Sequence, residues 1–328
     1  MLWTALLTFT LARLPDAEAA SPDAVRAAVE KAIPRIEASL AEYSRQRDCF
    51  ACHHQGVGLL ALTTAKSRGF PVDADLIREQ GAFIATDLHG SLEAYQKGRG
   101  QGGGATRAGY ALWALDLAGH APDATTAAVA DFLLGRDREG WRSASRRPPS
   151  EISPFTATFV ALRGVNRFAG PDRQERLEER VAAARKWLLA TPAEDTEDRV
   201  FRLRGLKVAG ADPDTLRVAA NDLLQAQDPD GGWSQTADLP PDAYATATAL
   251  VALLDSGGLT ADQPASQRGL ACLIRSQQAN GTWHVETRSR PFQTYFESGF
   301  PHGKDQFISM AATSWAVTAL SLGLPADP

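Results

Sequence analysis

The sequence is short of the features that mark several large classes of protein. Its 328 residues include only three cysteines and two methionines, and Lys and Arg are scattered, with a net charge of −5. No basic surface for nucleic acid is therefore expected. The longest apolar run, Leu2 to Ala12, is shorter than the ~20 residues that cross a membrane. The alternating pattern of strands is nearly absent. These shortages argue against a nucleic-acid-binding protein, a membrane-spanning protein and a sheet-based fold.

The apolar run at the start of the chain suits export. Leu2 to Leu11 has the length of a signal-peptide core, and Ala17-Glu18-Ala19 supplies small residues for cleavage. The charged segment that normally precedes such a core is missing, and an amphipathic helix is the alternative. We predict a signal peptide over residues 1–20. Its removal leaves a single domain, residues 21–328, in the periplasm or otherwise exported from a bacterial cell.

Six apolar, alanine-rich stretches recur about every 50 residues, and such self-similarity indicates a repeat architecture. They are Cys52–Gly69, Ala105–Gly119, Pro154–Gly164, Thr196–Gly210, Ala243–Gly257 and Ile308–Gly323. Each follows a stretch whose apolar residues recur three and four positions apart, as in an amphipathic helix. Those are Asp23–Ser44, Ala74–Leu88, Ala124–Leu134, Pro171–Leu189, Asp212–Gln227 and Gln263–Gln278. A helix that is apolar on all sides must be buried on all sides. We therefore predict an all-α fold, an (α/α)6 toroid of six helical hairpins without significant sheet.

The joints between some hairpins share a pattern of Gln, Gly and Trp. One copy comprises Arg268, Gly269, Leu273, Gln277, Gly281 and Trp283; Leu223, Gln227, Gly231 and Trp233 repeat its second half, and residues 137–141 form a degenerate third copy. Glycine allows the tight turn, and the tryptophan packs back over the helix end. The pattern resembles the glutamine–tryptophan repeat of the squalene cyclase and prenyltransferase superfamily. This resemblance covers nearly the whole mature chain.

The resemblance implies an α/α toroid and a hydrophobic, isoprenoid-like substrate. Residues 49–55 and 295–306 also resemble a bacterial subgroup of such proteins with a Cys-x-x-Cys-His-His motif. Squalene cyclases protonate an alkene with an Asp-x-Asp-Asp motif that this chain lacks. Its nearest run, Glu194–Asp198, opens an inner helix, but we expect its spacing to be wrong for that motif. The Asp-x-Cys zinc motif of protein prenyltransferases is missing, and the chain has length for one toroid where triterpene cyclases have two. Triterpene cyclisation is therefore not expected.

The sequence Cys49-x-x-Cys52-His53 has the spacing of a c-type haem attachment site. Two thiols at this spacing meet the two vinyl groups, and the following histidine is placed as an axial ligand. Two alternatives stay open: zinc held by both cysteines with His53 and His54, and a disulfide between the cysteines. The expected cofactor is haem c, with zinc as the alternative. Cys272 lies in an apolar stretch and is expected to pack in the core.

In a ring of hairpins all inner helices run the same way, so their N-termini meet at one mouth. Their dipoles favour anions there. Asp198 and Asp305 are the candidate catalytic carboxylates, although a carboxylate at a helix start is also an ordinary cap. The candidate substrate-pocket residues are Arg107, Tyr110, Arg202, Tyr244 and Glu297.

Closure of the ring would bring the last inner helix beside the first. His302, Lys304 and Asp305 would then approach Cys52 and His53. His302 stands between a proline and a glycine in an irregular loop, which makes it the candidate extra ligand for a metal or haem. Asp305 would accept a hydrogen bond from a ligating histidine, as such histidines normally require.

Three functions agree with these features. The first is a redox or sensing protein that carries haem c or a metal and meets a redox partner. The second is an enzyme that acts on a hydrophobic, isoprenoid-like molecule. The third is a non-catalytic binding protein with a structural Cys-x-x-Cys. The sequence does not decide whether the protein is an enzyme.

Overall fold

The computed structural model describes residues 20–136, 139–291 and 294–325. The predicted signal peptide, apart from its last residue, lies outside these ranges. The α-helices are α1 (Pro22–Gln46), α2 (Val57–Lys66), α3 (Ala74–His89), α4 (Leu92–Gln96), α5 (Gly104–Leu117), α6 (Ala124–Leu134), α7 (Pro154–Phe168), α8 (Gln174–Ala190), α9 (Thr196–Val208), α10 (Pro213–Gln225), α11 (Ala243–Ser256), α12 (Pro264–Ser276) and α13 (Gln306–Leu322). Within the described ranges, pairing between extended segments is limited to two isolated bridges.

The helices form a closed ring. The inner helices α2, α5, α7, α9, α11 and α13 pack against one another in that order, and α13 packs against α2 to complete the circle. The outer helices α1, α3, α6, α8, α10 and α12 each contact their inner partner. The predicted toroid of six hairpins is therefore confirmed. No helix in the described part of the chain is long and apolar enough to cross a membrane.

The start of most helices follows from local side-chain chemistry. The side chains of Asp73, Asp123, Asp195, Asp212 and Asp242 each accept a hydrogen bond from a backbone N–H of the first turn. Such caps satisfy donors that would otherwise lack a partner. The inner helices α11 and α13 are buried on every face over most of their length, as their composition predicts.

The joint motif has one geometry in all three copies. The indole Nε1 of Trp233 donates to the carbonyl oxygen of Leu223 at 2.9 Å, and Trp283 donates to Leu273 at 2.7 Å. Trp141 makes the same bond to Leu133 at 2.9 Å. The degenerate copy is thus a joint of the same kind, although its first two residues, 137 and 138, lie outside the described ranges.

Three details differ from the prediction. A short helix, α4, lies in the connection between α3 and α5, and α7 continues past Gly164 to Phe168. Gly164 does not end its helix because it is a packing residue: a Cβ there would lie 2.9 Å from the side chain of Leu112 on α5. The first inner helix opens with a π-helical turn, Cys52–Gly56. Single π-turns of this kind are frequent at functional sites.

Candidate functional site

A cavity of about 310 Å³ opens at the mouth of the ring, where the N-termini of α2, α5 and α13 meet. Its apolar wall includes Phe50, Phe296, Phe307, Ile308 and Ala311. Its polar lining includes Cys49, Cys52, His53, Glu151 and the basic residues Arg107, Arg147 and Lys304. The size and the mixture of an apolar wall with a few polar groups are those of a small-molecule site. Three of the six inner-helix N-termini that were predicted to converge on one mouth therefore meet at this cavity.

The π-turn sends successive side chains in different directions. Cys52 and His53 line the cavity, whereas His54 is fully buried behind Tyr43 and Phe307, two residues of the cavity lining. There the Nε2 of His54 lies 3.2 Å from the hydroxyl of Ser39, its ring packs against Tyr43, and burial lowers its pKa to about 3. The structure therefore separates His54 from the other three residues of the predicted metal site.

His53 is oriented by a carboxylate from a distant loop. Its Nδ1 lies 2.7 Å from Oε1 of Glu151, which also pairs with Arg147. Burial would raise the pKa of Glu151, but the bonds from His53 and the charge of Arg147 outweigh burial and lower it. An ionised Glu151 accepts the Nδ1 proton of His53, which leaves Nε2 as the nitrogen able to bind a metal.

Both cysteines of the motif carry free thiols. Cys49 is half-buried and lies beside Tyr43, whose pKa is raised by burial and by that thiol. Cys52 is buried, and burial raises the pKa of its thiol above the ordinary value. The structure therefore places two free thiols at one cavity without joining them in a disulfide. Cys272 lies away from this cavity and is half-buried on α12.

The last loop forms a second polar group beside the mouth. Asp305 accepts hydrogen bonds from His284 Nε2 at 3.0 Å and from the backbone N–H of Thr287 at 2.9 Å. His302 packs against His284 at 4.9 Å between ring centroids, and its Nε2 lies 2.8 Å from the hydroxyl of Thr282. Lys304 and Phe307 lie in the mouth cavity, with Phe307 edge-on to His53 at 5.8 Å. Ring closure thus brings the last inner helix to the Cys-x-x-Cys-His motif, but His302 and Asp305 are held by other partners.

The remaining predicted site residues are spread over the mouth and the outer surface. Asp198 accepts a hydrogen bond from the hydroxyl of Ser153 at 2.7 Å, and Arg107 forms a two-pronged ion pair with Asp87. Arg202 donates to backbone carbonyls at the end of α8 and lies in an outer groove. Glu297 is exposed and accepts from Tyr295. Of these predicted residues, only Arg107 lines the mouth cavity.

A buried carboxyl group beneath the mouth is Glu197. It accepts hydrogen bonds from Thr156 at 2.7 Å and from the hydroxyl of Tyr244 at 3.1 Å. Burial, opposed by the bond from Thr156, raises its pKa to about 8. Sequence reasoning missed this residue because the run was compared with aspartates alone. Asp195-Thr196-Glu197-Asp198 does have the Asp-x-acid-Asp spacing of the cyclases, with glutamate in the central place.

The axis of the ring below Glu197 is filled by Arg204. Its guanidinium lies 4.3 Å from the ring centre of Phe159 and 5.2 Å from that of Trp315, with the rings of Trp113 and Phe201 also within 6 Å. Burial lowers the pKa of Arg204 to about 10, which leaves it charged at neutral pH. Its Nε and Nη1, like the hydroxyl of Tyr110, find no hydrogen-bond partner among the described residues. Four aromatic rings from four inner helices therefore surround a cation of the protein itself.

Comparisons with known proteins give sequence matches over part of the chain and structural matches over most of it. No family model matches. A stretch of 130 residues is 33% identical to a squalene–hopene cyclase from Bradyrhizobium diazoefficiens and covers 34% of this chain. Another of 111 residues is 32% identical to protostadienol synthase A from Arthroderma gypseum and covers 30%. The matches span 18% and 15% of those relatives, less than a fifth of either.

Among solved structures, the type II terpene cyclase MstE from Scytonema matches with a TM-score of 0.52 and 15% identity, over 92% of this chain and 98% of that one. A protein from Actinoplanes matches with a TM-score of 0.53 and 15% identity, over 92% and 98%. A glycosidase matches with a TM-score of 0.54 and 13% identity, over 90% and 98%. One ring thus hosts unlike chemistries, and only the site can assign a function.

Proposed function

We propose that this squalene cyclase-like toroid binds a hydrophobic small molecule that carries an anionic group, and that it does so in the mouth cavity. The observation that carries the proposal is the cavity lining. The rings of Phe50, Phe296 and Phe307 form its wall, and the cationic groups of Arg107, Arg147 and Lys304 lie among them. Arg107 and Arg147 are paired with the carboxylates of Asp87 and Glu151. Among the described residues the exposed Lys304 forms no ion pair, so its ammonium group can pair with a ligand.

The filled axis supports binding at the mouth rather than in the centre. A substrate at the centre would have to displace the side chain of Arg204 from its four aromatic rings. A charged guanidinium over aromatic faces is favourable by about 0.5–2 kcal/mol for each good contact. A neutral isoprenoid chain would restore none of that electrostatic attraction. A ligand in the cavity between Phe307 and the cysteines would not have to displace Arg204.

Binding is measured by the fluorescence of a conjugated long-chain fatty acid, which emits strongly only when it leaves water. We expect saturable binding, about tenfold weaker for Phe307→Ala through lost apolar contact, and weaker for Lys304→Gln through lost charge. The alcohol of the same chain length should bind less tightly than the acid. Phe83→Ala on α3 and Lys186→Gln on α8 are the matched controls outside the cavity. Equal affinity in all variants would place the ligand elsewhere and defeat the proposal.

Acid catalysis on an isoprenoid-like molecule is a second candidate function. The observation in its favour is Glu197, a buried and protonated carboxyl in an Asp-x-Glu-Asp run. The hydroxyl of Tyr244 contacts Glu197 and also lies beside Ser150, which lines the mouth cavity. This function requires turnover of polyprenyl substrates that Glu197→Gln abolishes and the exposed Glu194→Gln leaves intact. Absence of turnover in the parent protein would leave binding as the function.

A further inference from the structure

We infer that the molecule held in the mouth cavity is haem, attached through thioether bonds to Cys49 and Cys52 and ligated through its iron by Nε2 of His53. This inference rests on the proposed function and names the ligand of the same site. Haem fits that description because it is a flat apolar ring that carries two carboxylates. The inference draws on four observations around the cavity.

The first observation is that both thiols of the Cys-x-x-Cys pair are free and face one cavity. In the attachment reaction each S–H adds across one vinyl C=C bond. A carbon–sulfur bond and a C–H bond form, while the S–H bond and the π bond break. No electron is gained or lost, so the step needs no oxidant, and the protein gains the whole mass of haem.

The second observation concerns the ligating nitrogen. The carboxylate of Glu151, at 2.7 Å, fixes Nδ1 of His53 as the donor and leaves Nε2 for iron. A carboxylate in this place orients a histidine ligand and raises its basicity. Glu151 is therefore a positioning residue. The π-turn that begins at Cys52 places His53 in the cavity lining and His54 in the buried interior.

The third observation is that the rest of the cavity matches the rest of the haem. Phe307 stands edge-on to His53 at 5.8 Å, where it would face the porphyrin bound to that histidine. Lys304 is exposed at the rim and suits a propionate. Basic and aromatic groups therefore accompany the two thiols and the imidazole within one cavity.

The fourth observation separates haem from zinc. A structural zinc ion takes four protein ligands, but His54 is buried outside the cavity lining with its Nε2 beside the hydroxyl of Ser39, and His302 is bonded to Thr282. In the described residues no group of three or more His, Cys, Asp or Glu side chains is arranged to hold a metal ion. Covalent haem needs only the two thiols and one imidazole from the protein.

The test uses the full chain, directed to the periplasm of a bacterial host that carries the haem-attachment machinery. We expect a Soret band, haem that stays with the protein in denaturant and acidic acetone, and a mass gain of one haem. Cys49→Ser and Cys52→Ser should each lose one thioether, seen as a red shift of the alkaline pyridine spectrum, and the double variant should hold no covalent haem. Cys272→Ser is the matched control and should be unchanged. Glu151→Gln should keep the haem but shift its reduction potential.

Three results would overturn the haem assignment. They are protein without a Soret band, haem removed by acidic acetone, and bound zinc in place of haem. A thiol count in denatured protein that rises from one to three on reduction would instead reveal a Cys49–Cys52 disulfide and also overturn it, because thioether bonds do not yield thiols on reduction. The melting curve of the double serine variant shows whether loss of haem reflects loss of fold. If haem is absent while the fatty acid still binds in a Phe307-dependent way, the inference fails and the proposed function stands.

Discussion

The carboxyl group of Glu197 makes stability depend on pH. Its pKa is raised from 4.5 to about 8 in the folded protein, first by burial. Between these values the unfolded chain releases the proton and the folded chain keeps it. Stability from this group is therefore greatest below pH 4.5, falls as the pH rises to about 8, and is constant above. Burial raises the pKa of Asp195 and Asp242 as well, which acts in the same direction.

Replacement of Glu197 by Gln removes this dependence because the amide keeps an acceptor for Tyr244 or Thr156 but does not ionise. We expect the parent protein to lose more of its melting temperature between pH 5 and pH 8 than the variant does. The difference in melting temperature should be on the order of 2–4 °C for each kcal/mol of unfolding free energy that ionisation of Glu197 removes. Glu194→Gln, an exposed change of equal charge three residues earlier in the loop before α9, should follow the parent. If the plots of melting temperature against pH were parallel for the parent and Glu197→Gln, Glu197 would have an ordinary pKa in the folded protein.

At the scale of the helix, local chemistry was enough to predict most of the ring. Apolar periodicity and the recurring alanine-rich stretches placed twelve helices within a few residues of their observed ends, because each signal acts inside its own segment. These local signals did not predict a helix end correctly where packing against a neighbouring helix determines it. Gly164 reads as a terminator, yet it lies inside α7 because Leu112 of the neighbouring helix needs the space of a Cβ.

The site was predictable only where it is local in sequence. Cys49, Cys52 and His53 form a recognisable motif and do share one cavity. Glu151, which orients His53, comes from a loop 98 residues away that carries no pattern. His54 is buried whereas its neighbour His53 lines the cavity, and this difference depends on the π-turn. The spacing of residues in the sequence does not predict such a turn. Glu197 did have a signal, the Asp-x-acid-Asp spacing, and a comparison that admitted glutamate would have found it.

At the scale of the whole molecule, one joint repeats around the ring and also closes it. The side-chain amide of Gln227 donates to the carbonyl oxygens of Gly231 and Ala265, and so ties the turn after α10 to α12. Gln277 donates in the same way to Gly281 and, across 249 positions of sequence, to Ala28 of α1. Gly231 and Gly281 allow the turn to lie close to the backbone of the neighbouring outer helix. A Cβ on Gly231 would lie 2.6 Å from a carbonyl oxygen of α12, and Gly281 meets the matching carbonyl of α1.

Because the ring is closed, the joint between the chain ends contains the same two glutamine bonds as a joint inside the chain. We therefore expect Gln277→Ala to cost about 1–3 kcal/mol of unfolding free energy, because two carbonyl acceptors lose their donor. Gln227→Ala should cost slightly more, since it also accepts from Arg268. Both variants should unfold in one transition, measured by circular dichroism in denaturant. Gln278→Ala, an exposed neighbour, should be nearly neutral. A destabilised Gln227→Ala beside a Gln277→Ala that unfolds like the parent would mean an open chain of hairpins, because the bond to α1 would then contribute nothing.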